Sequence, residues 1–100
     1  MIIIGFASHP LQSNDQAIKR AMELPRLPEY IKGRGNYSYI TQEEGIESIQ
    51  IYEFDSSKAE EAMWDIGQSY TNFYDIPGYK YELKVAFKSR EAMLRILESK

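Results

Sequence analysis

An α+β sandwich of βαββαβ order, with an extra C-terminal helix, is the fold class that the sequence predicts. Three observations carry it. Ile2–Ala7 and Ile46–Phe54 are apolar on both alternating faces, as strands covered on both sides are. Two stretches, beginning near Ser13 and Ser57, repeat apolar residues at helical spacing. Tyr79, Tyr81, Leu83, Val85 and Phe87 alternate with Lys80, Glu82, Lys84, Ala86 and Lys88, which describes an edge strand with one apolar and one charged face.

Each element has a local cause. Ile2–Ala7 is β-branched and reads as a central strand. Ser13-Asn-Asp-Gln16 matches a capping box, Asp15 favours the positive end of a helix, and Ala17, Ile18, Ala21 and Met22 follow, so the first helix is expected over Ser13–Glu23. Pro25 and Pro28 stop it, because a proline ring clashes with the preceding turn and drives the residue before it toward extended geometry. Lys32-Gly-Arg-Gly35 reads as a flexible loop, Tyr37–Thr41 as a strand and Glu43-Glu-Gly45 as a turn. Ile46–Phe54 places Ile49 and Ile51 on one face and Ile46, Tyr52 and Phe54 on the other, a second central strand. Ser57-Lys-Ala-Glu60 repeats the capping signature before the stripe Ala59, Ala62, Met63, Ile66, Tyr70, Phe73, Tyr74. Ile76-Pro-Gly-Tyr79 fits a type II turn. Ser89 is placed to cap a last helix carrying Ala92, Met93, Ile96 and Leu97.

The 100 residues make a single domain, 1–100, with 43% apolar content and no cysteine. Disulfides, thiolate metal sites and cysteine nucleophiles are therefore excluded. Lys and Arg number 12 against 15 Asp and Glu, a net charge of −3 that disfavours nucleic acid and anionic membranes as partners. No apolar run approaches the ~20 residues of a membrane span, and the N-terminal segment lacks a signal-peptide pattern, so a cytoplasmic protein is expected. Lys32–Tyr39 loosely echoes the ribonucleoprotein octapeptide, but Arg34 and Asn36 occupy aromatic or small positions and the segment falls on the second strand.

Two right-handed βαβ units joined by a hairpin give a ferredoxin-like sheet whose central strands are the first and third and whose helices share one side. The other face needs a cover. Eight tyrosines, several on strands, suit a surface apolar in body and wet at the tip, and stacking on a second copy would shield it. With this pattern over residues 2–98, the chain resembles the dimeric α/β-barrel superfamily, which includes small quinone-forming monooxygenases and muconolactone-isomerase-like enzymes. The resemblance implies a homodimer joined through the open sheet faces and a ligand cavity between sheet and helices. No catalytic signature of that group is matched residue by residue. Lys80, Glu82, Lys84 and Lys88 would lie on the face meeting the partner, at its rim or paired with acids such as Glu47 and Glu53.

Candidate chemistry is sparse. His9, the one histidine, follows the first strand and is a candidate general base, or else a solvated loop residue. No metal or cofactor is expected, since Glu43-Glu44 and Glu60-Glu61 read as a turn and a wet helix face. Tyr37, Tyr39, Tyr52 and Tyr81 are candidates to line a pocket for a planar ligand, oriented by Gln50 and Ser48, or to serve packing. Trp64 lies off its helix's apolar stripe, so it is covered by a partner or the last helix, or is simply exposed, with a ligand contact as a further reading. The expected function is a small homodimeric ligand-binding protein; a cofactor-independent monooxygenase or isomerase-like enzyme and a protein-interaction module are the alternatives.

Overall fold

A computed structural model describes residues 1–99. Strands β1 (Ile2–His9), β2 (Lys32–Thr41), β3 (Gly45–Glu53) and β4 (Lys80–Ala86) and helices α1 (Asn14–Glu23), α2 (Ala59–Thr71) and α3 (Ser89–Glu98) follow one another as β1-α1-β2-β3-α2-β4-α3. The sheet order is β2-β3-β1-β4, every neighbouring pair antiparallel, which is the ferredoxin-like topology. The two unalternating strands are indeed the central ones. No described helix is long and apolar enough to cross a membrane.

Register assigns the faces. Ile3 pairs with Tyr52 and Val85, Gly5 with Gln50 and Leu83, and Ala7 with Ser48 and Tyr81, and these residues look toward the helices. Ile2, Ile4 and Phe6, with Ile49, Ile51, Glu47 and Glu53 of β3 and Tyr37 and Tyr39 of β2, occupy the open face. Under α2 the core is dry: Ile3, Ile31, Tyr52, Phe54, Ala62, Ile66 and Tyr70 form one buried cluster, with Ala62 and Ile66 fully enclosed. Burying an aliphatic side chain such as Ile66 is worth about 1.5–3 kcal/mol. Helix α1 is held differently, through a small cluster of Ala17, Phe73 and Ile76. Arg20 also grips Asp75 with both guanidinium nitrogens, at 2.6 and 3.0 Å, and Ser13 Oγ donates to the Pro77 carbonyl at 2.6 Å.

Several local expectations are corrected. Ser13 makes no side-chain cap to α1, because its hydroxyl is committed to Pro77. A 3-10 turn over Ser56–Lys58 precedes α2, and Asp55, not Ser57, supplies the acceptor, bonding Ser57 N at 2.9 Å. Ser89 is the first residue of α3, and Lys88 stands at its N-cap without a side-chain bond. The glycine-rich Lys32–Gly35 is not a loop: it belongs to β2, bulged between Gly33 and Gly35 where it pairs with β3. Leu24 is extended ahead of Pro25 (ψ 141°), and Gly78 takes φ +75° with Tyr79 N bonded to Ile76 O at 3.1 Å, as the proline and type II readings require.

Candidate ligand site

Because α1 is anchored through Ala17, Arg20 and Ser13 and leaves Ile18 and Met22 exposed, it does not seal against β2 and β3. A cleft of about 490 Å³ lies between them. Its sheet side is polar: half-buried Ser48 and Gln50 and exposed Asn36 and Ser38 all sit at helix-facing register positions. Asn14 and Ile18 come from α1, and Ile18 and Ile40 stand half or more exposed at the mouth. Parallel rings line another side: Tyr79 stacks on Phe73 at 4.6 Å between centroids and on His9 at 6.2 Å, with interplanar angles of 11° and 9°.

His9 is the last residue of β1 rather than a solvated loop residue, and only 7% of it is exposed. Its Nε2 lies 3.0 Å from Asn14 Oδ1, which accepts if Nε2 carries the proton, leaving Nδ1 with the lone pair. Nδ1 is buried and has no hydrogen-bond partner among the described residues. An unsatisfied buried polar atom costs about 1–3 kcal/mol.

Behind the cleft, Gln50 Oε1 accepts from both Tyr52 Oη and Tyr70 Oη, the latter at 3.2 Å, and the two hydroxyls are 3.1 Å apart. Burial pushes the Tyr70 hydroxyl far up, helped by its bond to Tyr52; burial also raises Tyr52, and burial first and the neighbouring tyrosines second raise Tyr79 to about 12. These phenols stay neutral at physiological pH. Among the described residues no Lys, Arg, Asp or Glu lines the cleft. The arrangement can therefore donate and accept hydrogen bonds without presenting net charge.

The residues singled out in the sequence are divided among three places. His9, Ser48, Gln50 and Tyr39 line the cleft, and Tyr52 stands behind it, buried. Tyr37 lies on the open face, 62% exposed, and Tyr39 also borders a shallow hollow there beside Phe6 and Glu47. Trp64 and Tyr81 line a separate groove beside α2, and Tyr81 stacks on Tyr70 at 5.4 Å. Asn14, Asn36, Ser38 and Tyr79 were missed. The alternation Asn36-Tyr37-Ser38-Tyr39 was a usable signal, since period 2 puts both polar residues on one face and both tyrosines on the other. Among the described residues no cluster of three or more His, Asp or Glu could hold a metal ion.

Fold and cleft together define a class, a ferredoxin-like α+β domain with an uncharged cleft between sheet and first helix. No protein-family model matches the chain, and no curated protein matches it significantly in sequence.

Proposed function

We propose that this protein binds a small, neutral, planar molecule in the cleft between the sheet and α1, and that two copies stack through their open sheet faces. One contrast carries the first half: within a single sheet, the side beneath α2 is closed by buried side chains, whereas the side beneath α1 is an open cleft lined by half-buried Ser48 and Gln50 and exposed Asn36 and Ser38. At half-buried positions such as Ser48 and Gln50 folding alone favours apolar residues, and a hydrogen-bonding ligand explains polar ones. The volume lies in the ~300–1,000 Å³ range of small-molecule sites. The stacked His9, Tyr79 and Phe73 rings suit a flat ligand, and the lack of charged lining suits an uncharged one.

For the dimer, the supporting observation is how charge is distributed on the open face. Ile4, Phe6, Ile49 and Ile51 are central, while Lys80, Glu82 and Lys84 lie on β4, an edge strand. An apolar centre with a polar rim is the anatomy of an interface. Lys88 pairs with Glu53 at 3.6 Å, and Glu53 with Arg34 at 2.8 Å, so charges at this end are already matched.

The test is a thermal-shift screen of neutral heteroaromatic and phenolic compounds against the wild-type chain and Ser48→Leu, which fills the cleft. A ligand at about 100 times its Kd adds ~2.7 kcal/mol to wild-type stability. The reading expects such a shift in the wild type and its loss in Ser48→Leu; an equal shift in both overturns the site. Light scattering that finds only an 11.7 kDa species at micromolar concentration overturns the dimer.

His9 favours a second reading, the cofactor-independent enzyme: held through Nε2 by Asn14, it would take a proton from the bound molecule at Nδ1 once the packing over that buried atom opens to the cleft. Product formation from a hit of the same screen, abolished in His9→Ala while binding persists, supports it; unchanged turnover removes it.

A further inference from the structure

We propose that α3 is a docking helix, which seats its apolar stripe in the groove between α2 and β4 of a second copy. The proposal adds a contact to the two-copy reading above and rests on it only for the existence of a partner.

Helix α3 has no home in its own chain. Met93, Ile96 and Leu97 are 64%, 58% and 64% exposed, none of its residues is buried, and the radius of gyration, 15.2 Å, exceeds the ~13 Å of a compact chain of this length. At 100° per residue, Ala92, Met93, Ile96 and Leu97 form one stripe. Arg90 and Arg95 border that stripe on its two sides, and Glu91 and Glu98 lie on the back.

The same chain carries a groove of about 1120 Å³ that none of its described residues fills, with Met63, Trp64, Gly67, Tyr81 and Leu83 along its apolar part. Glu60 and Glu61 edge it, opposite in sign to the arginines that flank the stripe. Trp64, the one tryptophan, is 67% exposed there. Gly67 sits within α2, where glycine costs roughly 1 kcal/mol against alanine. A Cβ there would touch nothing within 4 Å, so the chain's own packing does not demand glycine, whereas close approach of a second helix does.

A second copy, not the chain's own helix, is the occupant that the connection favours. Only Phe87 and Lys88 link β4 to α3. Lys88 is tied to Glu53, an open-face residue, at 3.6 Å, and Arg95 lies over the Phe87 ring at 4.7 Å. The Lys88 contact holds the start of α3 toward the open face, away from the groove on the helix side of the same sheet, while Arg95 ties the last turn of α3 back to Phe87.

The absence of native cysteine makes the test direct. Full-length Gly67→Cys and Met93→Cys proteins are mixed and oxidised. A disulfide-linked heterodimer, in excess of homodimers from either protein alone, is expected. Its absence overturns the proposal, as does closure of the disulfide within one chain in the double variant. In parallel, Gly67→Phe should keep the circular dichroism of the fold, weaken self-association by about tenfold or more, and move Trp64 emission to longer wavelength. An unchanged dimer and emission overturn helix docking alone. Phe6→Asp probes the stacked sheets separately, so loss of the dimer there but not in Gly67→Phe assigns the failure to α3.

Discussion

Gly5→Ala gives a sharp measure of how the core supports the cleft. Gly5 is a helix-facing residue of β1, and a Cβ built on it would fall 2.8 Å from Tyr70 Cζ and 3.3 Å from Cε2, with Oη closer still. The tyrosine must swing away. In doing so it gives up its hydroxyl contacts to Tyr52 at 3.1 Å and Gln50 at 3.2 Å. One net hydrogen bond at about 0.5–1.5 kcal/mol, the one its single proton makes to Gln50, added to about 1–3 kcal/mol for overpacking, makes a cost of roughly 1.5–4.5 kcal/mol. The reduced freedom of the unfolded chain offsets about 0.4–1 kcal/mol of this. Against the 5–15 kcal/mol that a domain typically possesses, a loss of about 1–4 kcal/mol is large.

Urea unfolding followed by circular dichroism measures it, and the control is the same substitution in a Tyr70→Phe background. Removing the hydroxyl removes the nearest obstacle, although the ring carbon remains tight. Gly5→Ala should then cost at least about 1 kcal/mol less than in the wild type, since contacting residues give non-additive effects. Costs equal within about 0.5 kcal/mol would refute the steric reasoning, because independent sites behave that way.

Two further outcomes follow. The buried tyrosines release their protons at higher pH folded than unfolded, so stability is level below about pH 10, the ordinary tyrosine value, and falls as pH rises through about 12 for Tyr79 and beyond it for Tyr70. Urea midpoints that stay constant across that alkaline range would contradict the burial of these hydroxyls. Gly45→Ala forces a side chain onto φ +79° and against the His9 carbonyl and Pro10, so a loss of at least about 1–2 kcal/mol is expected from thermal unfolding, with distortion of the adjacent cleft read as weaker ligand binding.

What the sequence revealed and concealed divides along the range of the interactions. Element order and the identity of the central strands were legible, because burial on both faces is written into consecutive residues such as Ile2-Ile3-Ile4. The Pro77-Gly78 turn was legible for a local reason too. Lys32–Gly35 was not: its glycines signal a loop, yet pairing across to Tyr52 and Ile51 makes it strand through a bulge. Tertiary pairing overrides local preference there. The caps failed likewise, since Ser13 finds an acceptor 64 residues away. At the site, His9, Ser48 and Gln50 were legible by residue type, whereas which of the two alternating sets, Asn36 and Ser38 or Tyr37 and Tyr39, faces the helices needed the register, which a one-residue slip would reverse.

That register also explains why the two sides of the sheet impose different demands. The helix-facing side spends its apolar residues under α2, where Ile3 and Ile66 are nearly or fully enclosed, and leaves polar ones under α1. The open side leaves Ile4, Phe6, Ile49 and Ile51 only half-buried and carries charge along the β4 edge and at the two ends of β3, with Lys84 lying 5.5 Å over the Phe6 ring. Exposed pairs such as Lys84–Glu82 at 3.8 Å contribute at most about 1 kcal/mol, so their arrangement is not explained by stability. Their place at the rim of an apolar centre is explained by association, where rim charges set orientation and salt dependence while the centre supplies affinity. Self-association governed by that face should therefore weaken only modestly in high salt but collapse in Phe6→Asp, and the reverse ranking would assign the interface to charge instead of apolar stacking.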